Sequence, residues 1–278
     1  LQGAVGAIVQ APTDNSHCYR VQLPTGGTVA LKRHEFSIRK QFQAEGIVPS
    51  ETFWDELNLF ENVIYRCVVG SRAYGLDDEN SDTDRRGLYL PPAQVHWSLY
   101  GIPEQIEREK EQECYWELQK FLILALKANP NVLECLYTPA VELVTPIAQE
   151  LLDLREIFLS RLVYQTYNSY VLSQFKKMEQ DLRSKGEIRW KHAMHLIRLL
   201  LSGIHILQEG FVPVRVEEHR DRLLAIKYGH LPWQEIDEWR LKLHTEFDRA
   251  FASTDLPTRP DYARANEFLI RARRAQVN

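Results

Sequence analysis

The chain has 278 residues, 44% of them hydrophobic and 26% charged, which is enough to bury a core and points to two domains with a small appendage. A net charge of −4 is too acidic for a protein that coats nucleic acid non-specifically. No apolar run reaches the roughly eighteen residues of a membrane span, and the start "LQGAVGAIVQ" lacks a basic segment leading into an apolar one, so neither a membrane span nor a signal peptide is expected and the expected location is cytoplasmic.

The charge is unevenly spread. Residues 1–150 carry 13 Lys/Arg against 21 Asp/Glu, a net of −8, and residues 151–278 carry 21 against 17, a net of +4. That polarity suits an acidic metal site facing a basic wall for phosphates, and equally fits ordinary solvated faces. Cys18, Cys67, Cys114 and Cys135 stand far apart with no CxxC, which reads as reduced, mostly buried thiols without a disulfide or structural zinc.

In chain order, Val5–Val9, Cys18–Leu23 and Thr28–Leu31 read as short strands separated by turn clusters at Pro12 and Pro24. They predict a small antiparallel β module over 1–45 with a weak likeness to SH3 barrels, followed by a linker, "FQAEGIVPSE". From Glu51 a short helix leads into "NVIYRCVVG", a buried strand ending at Gly70, and "RRGLYLPP" is a second strand. Residues 93–114 read as an inserted loop or hairpin. "CYWELQKFLILALKANPN" reads as a helix broken at Asn129-Pro130, and "VLECLYTP" as a third strand. Beyond Pro146 the pattern is helical, including a strongly apolar helix that stops at Gly210. The expected fold is α+β: a small mixed-sheet core over 51–145, a helical bundle over 146–278, and the N-terminal β module.

Between the first two strands lies "GSRAYGLDDENSDTDRRG". A P-loop is excluded because Leu76 and Asp77 occupy the Lys and Ser/Thr positions after Gly75. An EF-hand starting at Asp82 fails because Arg86 and Ala93 fall where ligands are needed. What remains is Gly70-Ser71 at a strand end and Asp82-Thr-Asp84 entering the next strand. Residues i and i+2 of a strand share a face, so Asp82 and Asp84 would present carboxylates roughly 6–7 Å apart. Such a pair suits divalent ions that align a hydroxyl with an α-phosphate. The glycine lets backbone N–H groups approach phosphate oxygens.

These residues resemble the DNA polymerase β superfamily of nucleotidyltransferases. "GSRAYGL…SDTDRRGLYLPP", "LQKFLILALKANPNVLECLYTP" and "KHAMHLIRLLLSGIHILQEG" resemble its RlaP-like branch, named for neighbourhood with RNA ligases, over roughly 55–275. The resemblance implies a metal-dependent enzyme (Mg²⁺ or Mn²⁺) that moves a nucleoside monophosphate from an NTP to a hydroxyl, an RNA end favoured. Gly70 and Ser71 would bind nucleotide, and Asp82 and Asp84 would hold metal. A third carboxylate is expected from a neighbouring strand, with Glu134 preferred to Glu113. Arg72 can reach a phosphate or pair with Asp77 or Asp78, and at most one of Arg85 and Arg86 can face the site. Lys191, His195 and Arg198 share a helical stripe that either binds triphosphate or is a solvated face. Asp77, Asp78 and Glu79 read as solvated connector. Two other readings stand beside the enzyme: a non-catalytic nucleotide-sensing or antitoxin-like module, and a protein AMP-transferase.

Overall fold

A computed structural model describes residues 3–12, 18–39, 57–79, 81–185 and 189–277. The anticipated linker Phe42–Glu51 and the start of the helix anticipated at Glu51 lie outside them. The chain divides into two compact units, residues 1–56 and 57–278.

In the first unit, β1 (Ala7–Gln10), β2 (Tyr19–Gln22) and β3 (Thr28–Leu31) form a three-stranded antiparallel meander in that order. The Pro24-Thr-Gly-Gly cluster makes the expected tight turn, with Leu23 N–H donating to Gly27 O at 2.8 Å and Gly26 N–H to Leu23 O at 2.9 Å.

The second unit is α+β. Its five-stranded sheet has the order β6-β7-β5-β4-β8, from β4 (Val63–Val69), β5 (Asp84–Tyr89), β6 (Gln105–Arg108), β7 (Glu113–Glu117) and β8 (Val141–Val144). The sheet is mixed: β4 runs antiparallel to β5 and β8, β5 runs parallel to β7, and β6 closes the other edge antiparallel to β7. The segment after Gly70 folds as α1 (Gly70–Tyr74), and α2 (Ala93–Trp97) follows β5.

Two boundaries differ from the sequence reading. Cys114–Glu117 belongs to strand β7, and the helix α3 (Leu118–Leu126) starts after it, because the Glu117 carboxylate caps the N–H groups of Gln119 and Lys120. Val132–Tyr137 is not a strand. It is the body of α4 (Pro130–Tyr137), started by the Asn129 side chain accepting from the N–H groups of Asn131 and Val132, with Pro130 in the first turn. The strand beside β4 is instead β8, made by "VELV".

The helical region comprises α5 (Pro146–Asp153), α6 (Leu162–Lys185), α7 (Trp190–Glu209), α8 (Arg220–Lys227), α9 (Trp233–Ser253) and α10 (Tyr262–Arg274). Gly210, with φ +64°, terminates α7 as expected. Close packing at α7 requires Gly203, where a Cβ would come within 2.8 Å of Phe247 on α9 and 3.3 Å of Tyr167 on α6. Residues of the sheet region such as Tyr65, Leu88 and Phe121 belong to the same buried cluster as Tyr167, Ile197 and Phe247 of the helices, so one continuous core crosses position 145.

Candidate active site

Strand β4 delivers the chain to Gly70, whose φ of +72° is a left-handed conformation that favours glycine. Its neighbour Val69 pairs with Asp84 across the antiparallel β4–β5 ladder. This register brings the Asp84 carboxylate over Gly70, so that a Cβ there would sit 2.9 Å from Asp84 Oδ2. The backbone angle favours glycine here, and a side chain would also have to displace the end of the Asp84 carboxylate. Ser71 follows as the second residue of α1. Asp84, the first residue of β5, is half-buried, whereas Asp82 lies two residues before the strand and is exposed.

Arg85 and Arg86 point to opposite sides of β5. Arg85 Nε donates to Glu142 Oε2 at 2.8 Å, away from Asp84. Arg86 lines the pocket with Asp84, its Nη2 3.6 Å from Asp84 Oδ1 and its Nη1 donating to the carbonyls of Arg85 and Gln112 at 2.8 and 3.0 Å.

Across from Gly70, Ser71 and Asp84, α7 contributes Lys191 and His195 to a pocket of about 260 Å³, which Trp116 from β7 and Asn131 from α4 also line. Lys191 is exposed and lies in the first turn of α7. Burial, reinforced by the positive charges of Arg198 and Lys191, lowers the His195 imidazole to about 3. At neutral pH it is an uncharged hydrogen-bonding group.

Arg198, one turn further along α7, is below the pocket wall. Its Nη1 donates to Glu134 Oε1 at 2.5 Å, with only 6% and 2% of the two side chains exposed. The other carboxylate oxygen, Oε2, accepts from Tyr74 OH at 2.6 Å, and the Arg198 guanidinium stacks 3.8 Å over the Tyr74 ring. Burial opposes the charge on Arg198, yet Glu134 and Tyr74 hold its pKa above the ordinary value. Burial also pushes the Tyr74 phenol well up. The triad ties α1, α4 and α7 together beneath the pocket.

The two candidates for a third carboxylate are placed differently. Glu134 lines the pocket from a helix with both oxygens engaged by Tyr74 and Arg198. Glu113 pairs in register with Arg85 on the parallel strand, which sets it on the face opposite Asp84. Among the described residues, no group of three or more His, Cys, Asp or Glu is arranged to hold a metal ion. Asp84 lines the pocket and Asp82 does not; Mg²⁺ prefers one or two carboxylates completed by substrate phosphates and water, so the donor set does not conflict with that ion.

Arg72 faces the connector rather than the pocket: Nη2 donates to Ser81 O at 2.7 Å and Nη1 lies 3.8 Å from Asp77 Oδ2. The connector itself departs from expectation at Asp78, which is not free in solvent. Its Oδ2 accepts from Lys227 Nζ at 2.8 Å and from Tyr228 OH at 3.1 Å, and these bonds, with that from Ser81, lower its carboxyl to about 2. Lys227 Nζ also donates to Leu76 O at 2.9 Å, Arg220 Nε to Gly75 O at 2.8 Å, and Val216 N–H to Tyr74 O at 3.0 Å. The segment after α1 is thus fastened to the helical region.

Tyr74, Trp116 and Asn131 are pocket residues that sequence reading missed. Extending the period-2 pattern Asp84, Arg86, Leu88 into a parallel neighbour would have pointed to Trp116, but only once Cys114–Glu117 was recognised as a strand. For Asn131, the Asn129-Pro130 helix start was the available signal.

Among curated proteins, the chain is 29% identical over 169 residues to the uncharacterized protein YcgL of Bacillus subtilis (strain 168), a match covering 57% of this chain and 64% of that protein. The chain thus spans somewhat less than two thirds of that relative's length. A family model for RlaP, the RNA repair pathway DNA polymerase beta family, matches residues 37–271. With the glycine turn, the facing aspartate and the mixed sheet all inside that match, the chain belongs to this family of DNA polymerase beta-type nucleotidyltransferases.

Proposed function

We propose that the protein transfers a nucleoside monophosphate from an NTP to a hydroxyl acceptor, an RNA end, with release of pyrophosphate and with Mg²⁺ or Mn²⁺ held by Asp82 and Asp84. The observation that carries this reading is the seating of the Asp84 carboxylate directly over Gly70, with Lys191 and His195 across the same pocket. RNA as acceptor rests on the family's description as an RNA repair group.

In this reading the Ser71 hydroxyl and the backbone at Gly70 donate to phosphate oxygens, and Lys191 supplies positive charge to the triphosphate. His195, neutral at physiological pH, contributes a hydrogen bond without charge. When bound, the metal neutralises triphosphate charge and acidifies the attacking hydroxyl. A new bond forms between the acceptor oxygen and the α-phosphorus, the bond from the α-phosphorus to the bridging oxygen breaks, and the hydroxyl proton passes to a site carboxylate. Glu134 is assigned a positioning role, holding Arg198 and Tyr74 beneath the pocket, in place of metal ligation.

The test is label transfer from each α-labelled NTP to RNA with Mg²⁺, for the wild type and for Asp82→Asn and Asp84→Asn. Each variant is expected to lose at least a hundredfold in rate while keeping the wild-type melting temperature. Undiminished transfer by both variants would overturn the metal assignment, and label on the protein itself would redirect the acceptor from RNA to a protein hydroxyl.

A further inference from the structure

The pocket that holds Asp84 is lined by two kinds of side chain: Ser71, Asp84, Arg86, Glu134, Lys191 and His195 are polar or charged, whereas Trp116 and Asn131 supply an indole and a carboxamide. Trp116 sits opposite Leu88 in the parallel β5–β7 ladder, two residues along from the Arg86–Cys114 pair, and so shares the face of Asp84 and Arg86. One side of the half-buried indole packs on the core at Phe121, with ring centroids 6.2 Å apart, and the residue also lines the pocket. Asn131 is exposed, and its backbone N–H is held by the Asn129 cap at 3.0 Å. The cap fixes the main chain beneath the Asn131 carboxamide.

We propose that Trp116 and Asn131 form the nucleobase subsite of this pocket and select adenine, so that the donor nucleotide is ATP. This rests on the nucleotidyltransferase reading above and adds the base to it. A large aromatic surface favours a purine by stacking. Asn presents one acceptor beside one donor, the complement of adenine's amino group and N7. Guanine offers two acceptors on the same edge, O6 and N7, and calls for a paired donor such as arginine. The pocket's guanidinium, Arg86, has Nη1 committed to the carbonyls of Arg85 and Gln112 and Nη2 beside Asp84.

The experiment is equilibrium binding of the non-hydrolysable analogues α,β-methylene-ATP and α,β-methylene-GTP to the full chain with Mg²⁺. Wild-type protein is expected to prefer the adenine analogue by at least tenfold. Trp116→Ala is expected to weaken it by about tenfold, and Trp116→Phe, which keeps a ring against Phe121, by much less. Asn131→Ala, at an exposed position that leaves the fold intact, is expected to erase the preference by removing both the amide donor and the amide acceptor. Equal affinity for both analogues, or wild-type affinity in both Trp116→Ala and Asn131→Ala, overturns the base subsite while leaving the transferase reading in place. No binding of either analogue by the wild type overturns both.

Discussion

Glu134 and Arg198 show how a residue's neighbours decide its role. From sequence, one is a candidate metal ligand and the other a candidate phosphate ligand. In the fold they neutralise each other, buried together with Tyr74. A buried charge left without its partner is far more costly than a pair replaced by apolar side chains. Glu134→Gln is therefore expected to lower unfolding free energy by about 3–5 kcal/mol in chemical denaturation, whereas the double variant Glu134→Leu/Arg198→Met recovers most of that loss. A Glu134→Gln protein as stable as the wild type would mean that the pair contributes nothing to holding α4 against α7. His195 differs because it keeps access to the pocket, and burial makes it neutral without taking it out of use.

At the scale of elements, the connector from α1 to β5 is the telling case. Sequence reading treats Asp77 and Asp78 alike, since both are acidic residues in a turn. The fold separates them: Asp77 lies near Arg72, while Asp78 bridges to the end of α8 through Lys227 and Tyr228. Because the folded carboxyl is held at about 2, below its ordinary value of 3.8, the ionised form is favoured by folding. Its stabilisation is complete above the ordinary value and is lost as pH falls through about 2. The melting temperature of Asp78→Asn is thus expected to lie below wild type by a constant margin between about pH 5 and 8, and the gap should close between about pH 4 and 2. A gap that persists unchanged at pH 2 would show that the carboxylate charge is not what fastens the connector. The element boundaries teach a related lesson. Asn129-Pro130 is a good helix start, and reading it as a cap would have placed α4 correctly, whereas Glu117 is not a favoured cap residue and its capping of α3 shows only in the fold.

For the whole molecule, the sheet and the helices from residue 57 onward share one hydrophobic core, and residues 1–56, with the three-stranded meander, form a unit of their own. A fragment of residues 57–278 is therefore expected to unfold in a single cooperative transition with its helical circular dichroism intact. A fragment that aggregates or melts without cooperativity would place part of its stability in the N-terminal unit. No helix among the described residues is long and apolar enough to cross a membrane.

Much of the chain's local structure follows from short-range patterns. The two strands flanking Gly70-Ser71 and ending before Pro91, the Gly210 stop and the helical second half were legible because turn chemistry, capping and hydrophobic period act over a few residues, whereas the helix at Gly70–Tyr74 and the start of β5 at Asp84, which leaves Asp82 outside the strand, were not. Only tertiary structure decided which polar residues meet. Arg198 sinks beneath the wall that Lys191 and His195 share, Glu134 turns to Arg198, Glu113 falls on the far face of the sheet, and Trp116 arrives through a parallel strand. Strand register and helix packing set those outcomes, and both depend on contacts between residues distant in the chain, which no local pattern encodes.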